Sequence, residues 1–152
     1  MSFFIELEAA AAIVNAHSFL SDVKRRITDG LEHNFLAEIL TRKLATVKKL
    51  YKSNPYDYER YAVLAAASIY GVEILSDNAE ECRKRLFALW DKEYTTVCKK
   101  SANEETREAV RYILSKNILC GNALTLMCVD ENQKDTDKPI VFPEWSLLGT
   151  KL

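Results

Sequence analysis

Residues 54–68 read "NPYDYERYAVLAAAS", and this stretch decides how the rest of the chain is expected to pack. Asparagine is a favoured helix N-cap and proline suits the first helical position, so Asn54 and Pro55 predict a helix start. The small side chains from Ala62 to Ser68 let neighbouring helices approach closely. The sequence therefore predicts a central, closely packed helix from Pro55 to about Leu75.

The preceding segment, residues 31–52, has the clearest amphipathic pattern in the chain. Apolar side chains recur every three or four residues, which places them on one face of a helix. That face consists of Leu36, Leu40, Leu44, Val47 and Tyr51. Basic residues crowd the second half of the segment, where they complement the negative end of the helix dipole. We predict a helix that packs through this apolar face.

Two further helices are expected after the central one. Ser76–Asp77 is a cap signal that precedes a helix over about 78–100. Ser101–Glu104 matches the S-x-x-E capping box and predicts a helix over about 102–117. The residues expected to face inward are Cys82, Leu86, Trp90, Tyr94, Val97, Val110, Ile113 and Leu114.

The two ends of the helical region are less regular. Residues 3–20 predict a first helix from their apolar spacing and their run of alanines. Residues 118–130 fit either a sixth helix or a hairpin that turns at Gly121–Asn122. We favour the helix because the remainder of the chain is helical in pattern.

The predicted fold class is therefore all-α, a single-domain bundle of five or six helices with an extended C-terminal arm. The expected organisation is a helical domain over 1–129, a charged linker over 130–139 and an apolar C-terminal arm over 140–152. The scarcity of glycine and proline, four and three residues, also favours long helices over a turn-rich β fold.

Composition narrows the class of protein. The chain has 152 residues, 48% of them hydrophobic and 28% charged, which suits one globular domain and argues against disorder. The net charge of −1 lacks the positive excess common in nucleic-acid-binding proteins. No apolar stretch approaches the roughly 20 residues that span a bilayer, and no signal peptide is recognisable. A cytoplasmic, intracellular protein without membrane contact is expected.

Sequence motifs for catalysis and metal binding are missing. The chain has no phosphate-binding glycine loop, no G-x-S-x-G and no H-E-x-x-H. The four cysteines form no C-x-x-C pair, and with two histidines they do not match a zinc pattern. We therefore predict no catalytic residues, no metal site, no cofactor and a non-enzymatic role.

A basic shoulder is the first candidate binding site. It consists of Arg42, Lys43, Lys48, Lys49, Tyr51 and Lys52. Lysines beside tyrosines can follow phosphates and stack on bases, which makes nucleic-acid binding the alternative function. A solvated helix end explains the same residues. Two other short basic runs, Lys24–Arg25–Arg26 and Arg83–Lys84–Arg85, are each flanked by acidic residues and predict ion pairs within a helix.

The C-terminal arm is the second candidate binding site. Its apolar residues Phe142, Trp145, Leu147 and Leu148 follow a strongly charged stretch. Burying each of them stabilises by about 1.5–3 kcal/mol, so the arm is expected to lie against a protein surface. That surface can belong to its own domain, to a second copy or to another protein.

These features predict a protein–protein interaction module with an assembly or regulatory role. The expected partner is another protein or a second copy of the chain, contacted through an apolar helix face and the arm. Nucleic acid is the second partner class, through the basic shoulder.

Overall fold

The computed structural model describes residues 32–146. Within this range the chain forms four α-helices, a short 3-10 turn and four short strands. In chain order they are α1 Glu32–Tyr51, α2 Pro55–Ala67, β1 Gly71–Glu73, α3 Ser76–Cys98, the 3-10 turn Lys99–Ser101, α4 Glu104–Asn117, β2 Ile118–Cys120, β3 Met127–Val129 and β4 Asp135–Pro139. The predicted helix over 3–20 lies outside the described residues.

The strands form two separate two-stranded sheets. β1 and β2 pair in parallel, with Gly71 opposite Ile118, and α3 and α4 make the connection between them. β3 and β4 pair antiparallel, with Val129 opposite Asp135 and an irregularity in the register. The prediction of an all-α bundle of five or six helices is therefore wrong, because residues 32–146 combine four helices with two small sheets.

The central helix is shorter than predicted. It ends at Ala67 rather than near Leu75, and residues 71–73 continue as a fully buried strand. Gly71 allows this strand to pass close to α1, since a Cβ atom there would lie 2.8 Å from Leu36 Cδ1. A strand buried throughout lacks the alternation of apolar and polar residues that marks a half-exposed strand.

The segment over 118–130 is not the sixth helix that the sequence favoured. Its first residues form β2, which pairs with β1, and its last residues form β3, which pairs with β4. An isolated antiparallel bridge between Asn122 and Met127 joins the residues after β2 to the start of β3. Residues 135–139, within the stretch interpreted as a linker, form β4.

One of the three predicted helix caps is observed, and the other two differ from the prediction. Asn54 caps α2 as predicted, because its Oδ1 accepts a hydrogen bond from the Asp57 N–H at 3.3 Å. The cap of α4 is Asn103, whose side chain accepts from the Thr106 N–H at 2.8 Å, and not Ser101. α3 starts after Leu75 without a side-chain cap.

The inward faces predicted from helical spacing are confirmed. α3 packs against α1, α2 and α4, and Trp90 at its centre is fully buried. The Trp90 ring stacks on Tyr94 at a centroid distance of 4.7 Å, and its indole N–H donates to the Ala62 carbonyl at 2.9 Å. The other buried residues that form this core include Leu40, Leu44, Tyr58, Leu86, Val110, Leu114 and Ile118. None of the four described helices is long and apolar enough to cross a membrane.

Candidate interaction surface

The C-terminal arm starts on the turn between β2 and β3. The Ile140 N–H donates to the Leu126 carbonyl at 2.8 Å. The Ile140 side chain covers the buried Gly121, because a Cβ atom at Gly121 would lie 2.6 Å from Ile140 Cδ1. Because glycine has no side chain, Ile140 can pack directly on the backbone at Gly121 where the arm begins.

Phe142 and Pro143 contact the residue that precedes β1. The Phe142 ring meets the ring of Tyr70 edge to face, with centroids 5.2 Å apart and planes at 77°. The Tyr70 hydroxyl donates to the Pro143 carbonyl at 2.9 Å. Aromatic pairs favour this edge-to-face arrangement because the positive edge of one ring meets the negative face of the other.

Trp145 contacts the last two turns of α4. Its ring meets Tyr112 edge to face at 6.0 Å, and its indole N–H donates to Asn117 Oδ1 at 2.7 Å. Asn117 is fully buried and its Nδ2 donates to the Ala67 carbonyl at 2.9 Å. One buried amide therefore joins the end of α2 to the arm, because its Nδ2 donates to α2 and its Oδ1 accepts from Trp145.

Two of the four arm residues predicted to bind a partner are thus placed against the chain's own helical domain. Phe142 and Trp145 are half-buried there. Leu147 and Leu148 lie outside the described residues. The polar partners of the arm, Tyr70 and Asn117, were not singled out from the sequence.

Exposed apolar side chains surround the point where the arm begins. They belong to three segments: the residues after β1, the turn between β2 and β3, and the start of the arm. The two most exposed, Leu124 and Val141, show 68% and 72% of their surfaces. We call this set the apolar patch, and its members are Ile74, Leu75, Leu124, Leu126 and Val141.

Hydrogen bonds hold the three segments of the apolar patch beside one another. The Gly121 N–H donates to the Glu73 carbonyl at 2.7 Å, which joins the residues after β1 to the turn after β2. The bond from Ile140 to Leu126 joins that turn to the arm. The three backbone segments that contain the patch residues are therefore neighbours in the fold.

The basic shoulder lies at the end of α1. Arg42 pairs with Glu38 at 3.0 Å. The Tyr51 ring stacks on Tyr61 of α2 with centroids 4.1 Å apart, so one face of it is covered. Lys43 is half-buried, whereas Lys48, Lys49 and Lys52 are exposed and make no ion pair within residues 32–146. The described contacts of the basic shoulder lie on α1 and α2, and those of the arm lie on α4, next to β1 and on the turn between β2 and β3.

A polar cluster that was not predicted from the sequence joins α2, α3 and the start of α4. The Tyr94 hydroxyl donates to Glu59 Oε2 at 2.6 Å and accepts from the Asn103 N–H at 3.1 Å. The Asn103 amide also donates to Glu59 Oε2 at 3.1 Å. Burial and the bond to Glu59 raise the pKa of Tyr94 to about 12, so it keeps its proton at neutral pH. The cluster holds three helices together.

Replacing Tyr94 with phenylalanine is expected to weaken the loss of stability at alkaline pH. The pKa of Tyr94 is about 12 in the folded protein, against 10.0 for an ordinary tyrosine. Between these two values the unfolded chain has lost the proton and the folded chain keeps it, so the free energy of unfolding falls as pH rises. Below about pH 10 this contribution is constant and fully present. Urea unfolding at about pH 9 and about pH 11 measures the difference.

The exposed Tyr112 provides the matched control for that substitution. Tyr112→Phe should retain the wild-type fall in stability between the two pH values, since its side chain is 57% exposed. Part of the fall should also persist in Tyr94→Phe, because burial raises the pKa of Tyr58 and of Cys98. Equal falls in Tyr94→Phe and wild type would contradict the raised pKa of Tyr94.

Comparison of the chain with models of protein families, with curated proteins and with solved structures finds no match. In the part of the chain that the structure describes, no group of three or more histidine, cysteine, aspartate or glutamate side chains could hold a metal ion. Function is therefore inferred from the contacts, exposure and charges of this chain's own residues.

Proposed function

We propose that the protein is a non-enzymatic interaction module that binds another protein molecule through the apolar patch and the arm next to it. The observation that carries the proposal is the exposure of Ile74, Leu75, Leu124, Leu126 and Val141 on three segments that backbone hydrogen bonds hold beside one another. Contiguous exposed apolar residues of this kind are typical of protein–protein contact sites. The partner is a second copy of the chain or a different protein.

The energetics favour a partner on this surface. Covering a leucine or valine side chain stabilises by about 1.5–3 kcal/mol, which corresponds to roughly ten- to hundredfold in affinity. Leu124 and Val141 are the two members with the most surface left to cover. The arm positions Val141, because its neighbours Ile140 and Phe142 are fixed to the domain.

Charge substitutions in the apolar patch test the proposal. A Leu124→Lys/Val141→Lys variant should lose self-association, or lose a captured partner, by at least about a hundredfold in affinity. The matched control is Leu50→Lys, since Leu50 is 64% exposed on α1, outside the patch. Analytical ultracentrifugation measures self-association, and affinity capture with mass spectrometry identifies a partner that wild type retains and the patch variant loses.

The patch variant must differ from both wild type and Leu50→Lys for the proposal to stand. Wild type and Leu50→Lys should share the same mass distribution and the same captured protein. If the patch variant also shares both, the apolar patch is not an interaction site. A drop to a smaller species when residues 141–152 are removed would assign the contact to a second copy that receives the arm.

Nucleic-acid binding by the basic shoulder is the second candidate function. It is favoured by the exposed amino groups of Lys48, Lys49 and Lys52 and by Tyr56, which is 68% exposed at the start of α2. A gel shift with short single-stranded RNA at low ionic strength tests it. Glutamate substitutions at Lys48, Lys49 and Lys52 should abolish the shift, while the same substitutions at Lys92, Lys99 and Lys100 should not. Absence of any wild-type shift removes this candidate.

A further inference from the structure

A small cavity with an entirely cationic set of charged groups lies between α3 and α4. Its volume is about 160 Å³. The residues that line it are Arg83, Lys84, Phe87, Arg111 and Leu114. No carboxylate is among them, although acidic residues are slightly more numerous than basic ones in the chain. The cavity is therefore suited to a negatively charged group.

Two of the three cations already have carboxylate partners, none of which lines the cavity. Lys84 Nζ lies 3.3 Å from Glu80, one turn earlier in the helix. Arg111 pairs with Glu104 at 2.7 Å and also with Glu108. These pairs are largely exposed, so solvent and salt weaken them and a ligand can share the two cations.

Arg83 differs from its two neighbours in the cavity. Its Nε is buried and has no hydrogen-bond partner, and Arg83 forms no ion pair with another described residue. The adjacent basic residues behave as their spacing predicts, since Lys84 pairs with Glu80 and Arg85 with Glu81. Arg83 is therefore the one cation lining the cavity that has no carboxylate partner among the described residues, which leaves its charge for an anion bound in the cavity.

The remaining wall of the cavity is apolar. It is formed by the Phe87 ring, which has the Arg111 guanidinium 4.3 Å from its centre, and by the buried Leu114. All five lining residues are inside helices, where the backbone N–H groups are used by the helix itself. Phosphate sites draw on free backbone N–H groups at helix starts, and this cavity has none. A carboxylate attached to an apolar body fits better than a bare phosphate.

We propose that this cavity is a binding site for a small organic carboxylate. The Arg83 guanidinium receives the carboxylate, with Lys84 and Arg111 contributing charge, and the apolar body of the ligand packs on Phe87 and Leu114. The site is separate from the apolar patch, and it does not depend on the proposed interaction function.

Phenylacetate is a suitable probe, because it joins a carboxylate to an apolar ring. Isothermal titration calorimetry on the full chain should detect saturable binding of phenylacetate that weakens as salt is added. Phenylacetamide, which is neutral and similar in shape, should bind at least about tenfold more weakly. Inorganic phosphate should neither bind with comparable affinity nor displace phenylacetate.

Two variants of the same helix locate the binding site. Arg83→Gln should weaken phenylacetate binding by about tenfold or more, since the charged donor is lost. Arg85→Gln is the matched control and should bind as wild type, because Arg85 is exposed and pairs with Glu81 at 2.9 Å. If Arg83→Gln does not fold, Arg111→Gln replaces it, as that side chain is 43% exposed.

The proposal is overturned by any of three results. The first is no phenylacetate binding to wild type. The second is equal affinity in the cavity variant and in Arg85→Gln. The third is phosphate binding as tight as that of phenylacetate, which would make the cavity a general anion site without a role for Phe87 and Leu114.

Discussion

Replacing Trp90 with alanine is expected to lower the free energy of unfolding by about 3–5 kcal/mol, the largest effect of any single substitution considered for this chain. Trp90 is fully buried at the centre of α3, where it stacks on Tyr94 at 4.7 Å. Alanine would remove the ring and leave a cavity among helices that already pack closely through the alanines of α2. Denaturation with urea, followed by circular dichroism, measures the change.

The identical substitution at the chain's other tryptophan is the matched control. Trp145 is a half-buried residue of the arm and contacts Tyr112 and Asn117, so Trp145→Ala should cost clearly less than Trp90→Ala. A third variant, Trp90→Phe, keeps most of the ring and loses the hydrogen bond to the Ala62 carbonyl. Its expected cost is about 1–2 kcal/mol.

The order of these three effects tests the position of Trp90. The free energy of unfolding of a domain of this size is roughly 5–15 kcal/mol. A loss of about 3–5 kcal/mol is therefore large enough to leave Trp90→Ala partly unfolded in mild denaturant. If Trp90→Ala and Trp145→Ala have equal midpoints of unfolding, Trp90 is not at the centre of the core.

Helical spacing predicted the inward faces of three helices because it is a local property repeated over many residues. α1, α3 and α4 contain 20, 23 and 14 residues, which gives several turns over which the apolar face repeats. The residues expected to face inward in the middle of these helices, such as Leu40, Trp90 and Val110, are fully buried. Helical periodicity is therefore reliable here wherever a segment is long.

The strands could not be recognised in the same way. β1 and β2 have three residues each, and a short apolar run has no period that separates a strand from a buried helix. Their pairing joins Gly71 to Ile118, with two whole helices between them in the chain. Such a contact depends on how α3 and α4 pack, which no local pattern in the sequence specifies.

The residues of the candidate sites also differ in whether the sequence alone makes them recognisable. The aromatic content of the arm made Phe142 and Trp145 recognisable, because large apolar side chains are expected to leave water. Asn117, the partner of Trp145, was not recognisable, since a polar residue near the end of a helix usually faces solvent. Arg83 was assigned an ordinary ion pair within its helix, and only the packing of α4 against α3 reveals its buried N–H.

Replacing Asn117 with alanine is expected to lower the free energy of unfolding by about 2–4 kcal/mol. The amide has two partners, the Ala67 carbonyl at 2.9 Å and the Trp145 indole N–H at 2.7 Å. Ala67 is the last residue of α2, so its carbonyl has no partner inside the helix. Alanine at position 117 would leave that buried carbonyl without a donor and the indole without an acceptor.

A double-mutant cycle with Trp145→Phe isolates the bond that fixes the arm. Trp145→Phe retains an aromatic ring opposite Tyr112 and removes the indole N–H. Because the two residues share one hydrogen bond, the double variant should lose less stability than the sum of the single variants, by about 1 kcal/mol. The exposed Asn132 is the control, and Asn132→Ala should change stability by less than about 0.5 kcal/mol.

The arm itself provides a second measurement that does not depend on global stability. Without the Asn117 acceptor, Trp145 keeps its edge contact with Tyr112 alone, while Phe142 and Pro143 remain attached through Tyr70. The indole N–H of Trp145 should therefore shift in a ¹H–¹⁵N spectrum of Asn117→Ala, and cleavage by a protease near residues 144–146 should become faster. An unchanged indole signal together with additive effects in the cycle would show that Asn117 does not hold the arm, and its buried amide would then serve α2 alone.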